Sequence, residues 1–255
     1  MEARVNVFDR GRSLIASALA CVACVAFAAA PDATPVLQPF GGSGNAPAAP
    51  WKMVGLPAQT KPFTRFSVVD LDGHTALRVE ADASYGNLVH PLDLADLAAA
   101  PRSLRWAWRV DQPIDAADLR RREGDDTAIK VCTLWDLPMS KVPFVERQLL
   151  RMARVRGGEQ YPAATVCYVW DTQLPAGTQV TSAFTGRLKY IVLRSGADGL
   201  HRWQEERRDI AADFKAVFGD ESDTLPPLAG VAVGADADNT HSHSLAEVAD
   251  LRLEP

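Results

Sequence analysis

From residue 51 onward, apolar and polar positions alternate with a period of two in short runs bounded by turn residues, the pattern of an antiparallel sandwich or barrel. The strictest run is 104–110. Leu104, Trp106, Trp108 and Val110 point one way and Arg105, Ala107 and Arg109 the other, so one face is core and one is wet. Residues 64–70 and 75–80 flank Leu71-Asp72-Gly73-His74, where Asp-Gly supplies the positive φ angles of a tight hairpin. Further strands are predicted at 127–135, 164–170, 187–193, 228–234 and 245–253, and their spacing suits a single sandwich of about eight to ten strands. The charge run Gln204-Glu205-Glu206-Arg207-Arg208-Asp209 reads as a solvated, internally paired strand.

Two segments change period. In the first, Ser140 can cap and Pro143 suits an early helical position, and Gly157-Gly158 ends the run. Val145, Leu149 and Met152 recur on one side, predicted to dock on a sheet edge, while Arg147, Arg151 and Arg154 form a basic stripe. Membrane-surface contact would need that apolar side free, so it is not favoured. The second helix is predicted at 210–218, with Asp209 as N-cap and Gly219 past its end, as a short surface element.

The chain opens differently. Arg4, Arg10 and Arg12 precede an apolar run from Leu14 to Phe27 that ends in Ala28-Ala29-Ala30, so residues 1–30 read as an export signal peptide too short to span a membrane. Leu19-Ala20-Cys21 is similar to a lipoprotein cleavage site, but Ala18 stands where a larger aliphatic residue is usual, so lipidation is not favoured. Residues 31–50, rich in Pro, Ala and Gly, are expected to be a flexible leader, and 51–255 the folded domain. The predicted location is periplasmic or secreted. A formal net charge of −5 removes the electrostatic footing for nucleic-acid binding. Cys132 and Cys167 sit in an echo, Val-Cys-x-aliphatic-Trp-Asp at 131–136 and 166–171. Neighbouring strands with facing cysteines would allow a disulfide, and two separate buried thiols are the alternative. Trp106 and Trp108 read as core, whereas Trp135 and Trp170, at strand ends, suit a rim.

The ordered segments LRWAWRV (104–110), GDDTAIKV (124–131), PAATVCYVWD (162–171), WQEERRDIAADFKAVFG (203–219) and DADNT (236–240) resemble the exported bacterial domain of unknown function numbered 3047, over nearly all of the chain from Trp51. The resemblance carries no established activity. It implies an all-β, mainly antiparallel fold, a single jelly-roll β-sandwich with two short peripheral helices, similar in outline to galactose-binding-like modules. The closing segment AEVADLRLEP is similar to the last strand of such modules, where an acidic residue often helps to hold a structural calcium. Asp236, Asp238 and Asp250 are the candidate ligands.

The most site-like stretch is Asp236-Ala237-Asp238-Asn239-Thr240-His241-Ser242-His243. The oxygens of Asp236, Asp238, Asn239 and Thr240 suit sugar hydroxyls or a hard cation, with a self-bonded Asx turn as the bland alternative. His241 and His243 lack an identifiable third ligand for zinc. Arg105 and Arg109 are candidate contacts to an acidic glycan, or ion-pair partners of nearby carboxylates. Asp125 and Asp126 are the candidate catalytic acids, to be paired with Asp236 or Asp238, against duty in a turn or salt bridge. The function these features favour is a carbohydrate- or polyol-binding sandwich of the cell envelope. A glycan hydrolase or lyase using paired aspartates, and an envelope interaction protein without a small-molecule site, are the alternatives. No cofactor is called for beyond the calcium.

Overall fold

The computed structural model describes residues 37–41, 45–93, 102–157 and 161–254, and the signal segment lies outside them. Two sheets face each other. The larger has seven strands in the order β1 (Lys52–Val54), β4 (Tyr85–Pro91), β11 (Leu228–Asp236), β6 (Thr127–Trp135), β7 (Ala164–Asp171), β9 (Leu188–Ser195) and β8 (Gln179–Thr181). The smaller has five, in the order β10 (Gln204–Asp209), β5 (Ser103–Gln112), β12 (His243–Glu254), β3 (His74–Asp82) and β2 (Arg65–Leu71). Every named pairing is antiparallel except β7 with β9. The fold is a jelly-roll sandwich.

Alternation along each strand decides which side chains enter the core. From β5, Leu104, Trp106, Trp108 and Val110 point inward, each no more than 1% exposed, and meet Val166, Tyr168 and Trp170 of β7. Ring centroids lie 5.5 Å apart for Trp106 and Trp108, 5.3 Å for Trp106 and Tyr168, and 6.1 Å for Trp108 and Trp170, so an aromatic spine joins the sheets. Trp170 and Trp135, expected at a rim, are both buried. Trp135 Nε1 donates to Thr133 Oγ1 and its ring packs on Phe214, so a terminal strand position still faces the core. The β2–β3 hairpin turns through Asp72 (φ 51°) and Gly73 (φ 85°), the left-handed pair its sequence calls for. The outer face of the five-stranded sheet is a lattice of ion pairs. The charges of β10 pair with other elements rather than within the strand: Arg207 with Glu254 on the outer face, and Glu206 with Arg194 and Arg208 with Asp213 on the side of Trp106 and Leu104.

Helix α2 (Ile210–Phe218) starts where Asp209 Oδ1 accepts from Ala212 N at 2.9 Å. It is more than a surface element, because Ile210, Phe214 and Phe218 are fully buried against the core. Helix α1 (Phe144–Gly157) lies in the connection from β6 to β7. Its placement differs from expectation: Leu150 alone is fully buried, and Val145, Leu149 and Met152 are exposed. The arginine stripe is split: Arg147 donates to Val142 O and Arg154 to Tyr161 O, while Arg151 is exposed. Part of the expected leader also belongs to the fold. Leu37 and Phe40 are buried, Phe40 packs 4.7 Å from the Trp51 ring, and Trp51 Nε1 donates to Gln38 O.

Candidate functional site

Residues of the seven-stranded sheet that do not enter the core face away from the smaller sheet, and there they floor a cavity of about 530 Å³. Its floor comes from Tyr85, Asn87 and Val89 of β4, Ala232 and Asp236 of β11, Lys130, Cys132 and Leu134 of β6, Thr165 and Cys167 of β7, and Tyr190 of β9. The segment 54–57, helix α1 and the 182–187 loop wall it. Most of this lining is apolar, and the polar groups collect where Asp125, Lys130, Asp236, Asp238 and Asn239 meet.

Each of these groups has a physical place. Cys132 and Cys167 lie directly opposite in register and are bridged, with Sγ atoms 1.98 Å apart and Cα atoms 4.0 Å apart. Beside them, Lys130 and Asp236 form an ion pair at 2.8 Å, 2% and 4% exposed. Asp236 Oδ1 also accepts from Thr127 N and Oγ1, at 2.7 and 2.5 Å. Burial opposes charge on both partners. For Lys130 burial is the largest single influence and favours the neutral amine, but Asp236, Tyr85 and Asp125 together overcome it and hold the ammonium above the usual lysine range. Burial pushes the Asp236 carboxyl up while Lys130 and Thr127 pull it back. The ammonium also sits 4.9 Å from the Tyr85 ring centroid. Gly234, across the register from both Asn87 and Lys130, leaves space for them: a Cβ there would come within 2.2 Å of Asn87 Oδ1.

The four acids named from the sequence all come to this end, but they are not equivalent. Asp126 is a brace, accepting Asn239 N and Nδ2 on Oδ1 and Thr240 N and Oγ1 on Oδ2, at 2.6–3.2 Å. It ties the 236–240 loop to the start of β6. Asp238 Oδ2 is held by Lys61. Asp125 differs. Its Oδ2 accepts from Ser182 Oγ at 2.7 Å, but its Oδ1 is buried without a hydrogen-bond partner. The Tyr190 hydroxyl and the Ala183 amide both lie near enough to favour the carboxylate, though neither meets standard hydrogen-bond geometry to Oδ1. Burial raises the Asp125 carboxyl above the ordinary aspartate range, partly offset by Ser182 and Tyr190.

The other sequence candidates lie elsewhere. Arg105 pairs with Glu205, and Arg109 with Asp72 and Asp111, on the outer face of the five-stranded sheet away from the cavity. Asp250, on β12, pairs with His74. The calcium set therefore does not assemble: Asp250 is on the other sheet, and both oxygens of Asp236 are already engaged by Thr127 and Lys130. Among the described residues, no three His, Cys, Asp or Glu side chains gather as a metal site would need. Sequence reasoning passed over Lys130, Tyr85, Asn87 and Tyr190. Lys130 did leave a signal, as a lone charge within Ala-Ile-Lys-Val-Cys, where both strand faces are otherwise apolar.

Among family models, the one described as "Protein of unknown function (DUF3047)" matches residues 49–252. No curated protein matches the chain. Similar solved structures include a family 29 carbohydrate-binding module from Piromyces equi (7% identity, 86% of this chain and 87% of that one, TM-score 0.35). Others are the xyloglucanase domain of NopAA from Sinorhizobium fredii, solved with cellobiose (8%, 80% and 97%, TM-score 0.38), and endoglucanase Cel12A from Rhodothermus marinus (12%, 80% and 95%, TM-score 0.39).

Proposed function

The chain belongs to the DUF3047 family, whose description names no activity, and we propose from the cavity that it binds a hydroxyl-bearing ligand, a short carbohydrate or related polyol. The observation that carries this is the polar end of the cavity, where Asp125, whose Oδ1 has no hydrogen-bond partner of standard geometry among the described residues, adjoins Lys130, Asn87 and Asn239 beneath apolar walls. A buried acceptor without a donor costs about 1–3 kcal/mol, and a small side-chain rotation that turns Oδ1 toward a ligand hydroxyl would remove that penalty. Asn87 and Asn239 add an amide at the same end, and the apolar walls suit the C–H faces of a sugar ring. The cavity volume is within the ordinary range of small-molecule sites, about 300–1,000 Å³.

A catalytic pair of aspartates has less support, because Asp126 and Asp236 have both oxygens engaged. Asp125 with Asp238 is the pairing that remains. We also propose that the protein works in an oxidising compartment outside the cytoplasm, supported by the buried Cys132–Cys167 bridge.

The test is a thermal-shift and calorimetric screen of soluble short oligosaccharides and polyols against the wild type and Asp125→Asn, with reducing-end release followed in parallel. A ligand at 100 times its dissociation constant stabilises by about 2.7 kcal/mol. Binding by the wild type that is lost in the variant is the expected result. Ligands that bind both proteins equally would place the site elsewhere, and no binding across the panel would overturn the proposal. Reducing ends released by the wild type alone would move the assignment to hydrolysis.

A further inference from the structure

Among the described residues, ten large apolar side chains are exposed, and seven of them are either on α1 or line the cavity beside it. Five are on α1: Phe144, Val145, Leu149, Met152 and Val155, exposed 69%, 69%, 47%, 51% and 88%. Leu56 and Phe184, which line the cavity with Leu149, complete the group. Scattered apolar residues on a surface are ordinary, whereas a collar of them concentrated along one helix marks a contact surface.

At 100° per residue, Phe144, Val145, Met152 and Val155 fall within a sector of about 100° centred opposite Leu150, the buried anchor of the helix. Arg151 and Arg156 flank that sector, one on each side. Both are exposed, and neither has a partner among the described residues. Arg147 and Arg154 bond only to carbonyls and a thioether, so their charge is not neutralised. The one acid of the helix, Glu146, is turned inward to Thr185, Gly186 and Arg187. A net-acidic protein thus presents on α1 an apolar strip, interrupted by Gln148 at its centre, whose flanking charges on the helix are both cationic.

We propose that this face docks the protein peripherally on an anionic phospholipid bilayer, with Phe144, Val145, Met152 and Val155 in the headgroup–acyl boundary and Arg151 and Arg156 on the phosphates. Charge complementarity selects this occupant. Two copies meeting through α1 would oppose arginine to arginine, while long guanidinium stems beside an apolar strip suit a plane of anionic headgroups over hydrocarbon. No described helix is long and apolar enough to cross a membrane, so the contact is with the surface. It is independent of the ligand proposed for the cavity.

The whole protein is to be floated with phosphatidylcholine vesicles with and without phosphatidylglycerol, at low and high salt. Expected are binding to the anionic vesicles, weakening with salt, and little binding to the neutral ones. Met152→Asp with Val155→Asp, both exposed and therefore compatible with folding, should reduce partitioning by roughly tenfold or more. Arg151→Glu with Arg156→Glu should abolish the preference for anionic lipid, and Leu225→Asp, an exposed apolar site outside the collar, should change nothing. Failure to bind anionic vesicles at low salt, or equal binding by the collar variants, would overturn the proposal. So would a wild-type dimer that Met152→Asp dissociates, because the face would then belong to a second copy.

Discussion

Opening the Cys132–Cys167 bridge is the most quantitative perturbation the fold offers. The two cysteines are 35 residues apart in sequence, and a crosslink closing a loop of that length restricts the unfolded chain by about 4 kcal/mol at 25 °C in the chain-entropy account. Both sulfurs are buried among Leu119, Tyr190 and Ala232, so replacing them with alanine also removes packing. The contributions separate experimentally. Urea unfolding of the wild type under oxidising and under reducing conditions isolates the crosslink, and Cys132→Ala/Cys167→Ala against the reduced wild type isolates the packing. The crosslink should account for about 4 kcal/mol, equivalent to about 8–16 °C in Tm for a domain of this size. It should also give the oxidised protein the lower m-value, since its unfolded state stays more compact. A crosslink contribution below about 1 kcal/mol, or an unchanged m-value, would refute the reasoning.

Three further outcomes follow from the cavity. Lys130→Met should destabilise by about 3–5 kcal/mol, because it leaves Asp236 buried without its counter-charge, and Lys130→Met/Asp236→Leu should recover much of that loss; chemical denaturation measures both. Asp126→Ala leaves Asn239 and Thr240 donors unpaired, so amide exchange should accelerate in the 236–240 loop while α2 stays protected. Asp125 titrates above the ordinary aspartate range, so between that range and its folded value the native state keeps a proton the unfolded chain has released, and stability falls as pH rises through the window. Asp125→Asn should remove that fall, gaining on the wild type as pH rises above the ordinary aspartate range; parallel pH profiles for the two proteins would contradict the burial.

What the sequence revealed depended on how local the deciding physics is. The β2–β3 hairpin and the two faces of β5 were legible because a turn dipeptide and a strict alternation act within a few residues. Strand β4 was not, since Gly86, Asn87 and Pro91 have poor strand propensity, and its pairing with β11 outweighs that. The acids at 125–126 and 236–238 were visible as a cluster of polar residues at two strand ends. Which of them keeps an unengaged oxygen was not, because the partners lie 57, 106 and 177 residues away and arrive only through sheet register. Amphipathicity located α1 but could not tell which side would face the protein. In the fold the Leu150 side is buried, the carbonyls of Val142 and Tyr161 hold Arg147 and Arg154, and Arg151 stays exposed.

The aromatic spine has an optical consequence. Trp106 and Trp108 belong to one sheet and Tyr168 and Trp170 to the other, with centroids 5.3–6.1 Å apart, close enough for their transitions to couple. Their near-ultraviolet dichroism therefore reports the docking of the sheets, separately from the far-ultraviolet signal of the strands. A state that keeps the strands but lets the sheets part would lose the first signal and retain the second, and the native chain carries that readout without any label.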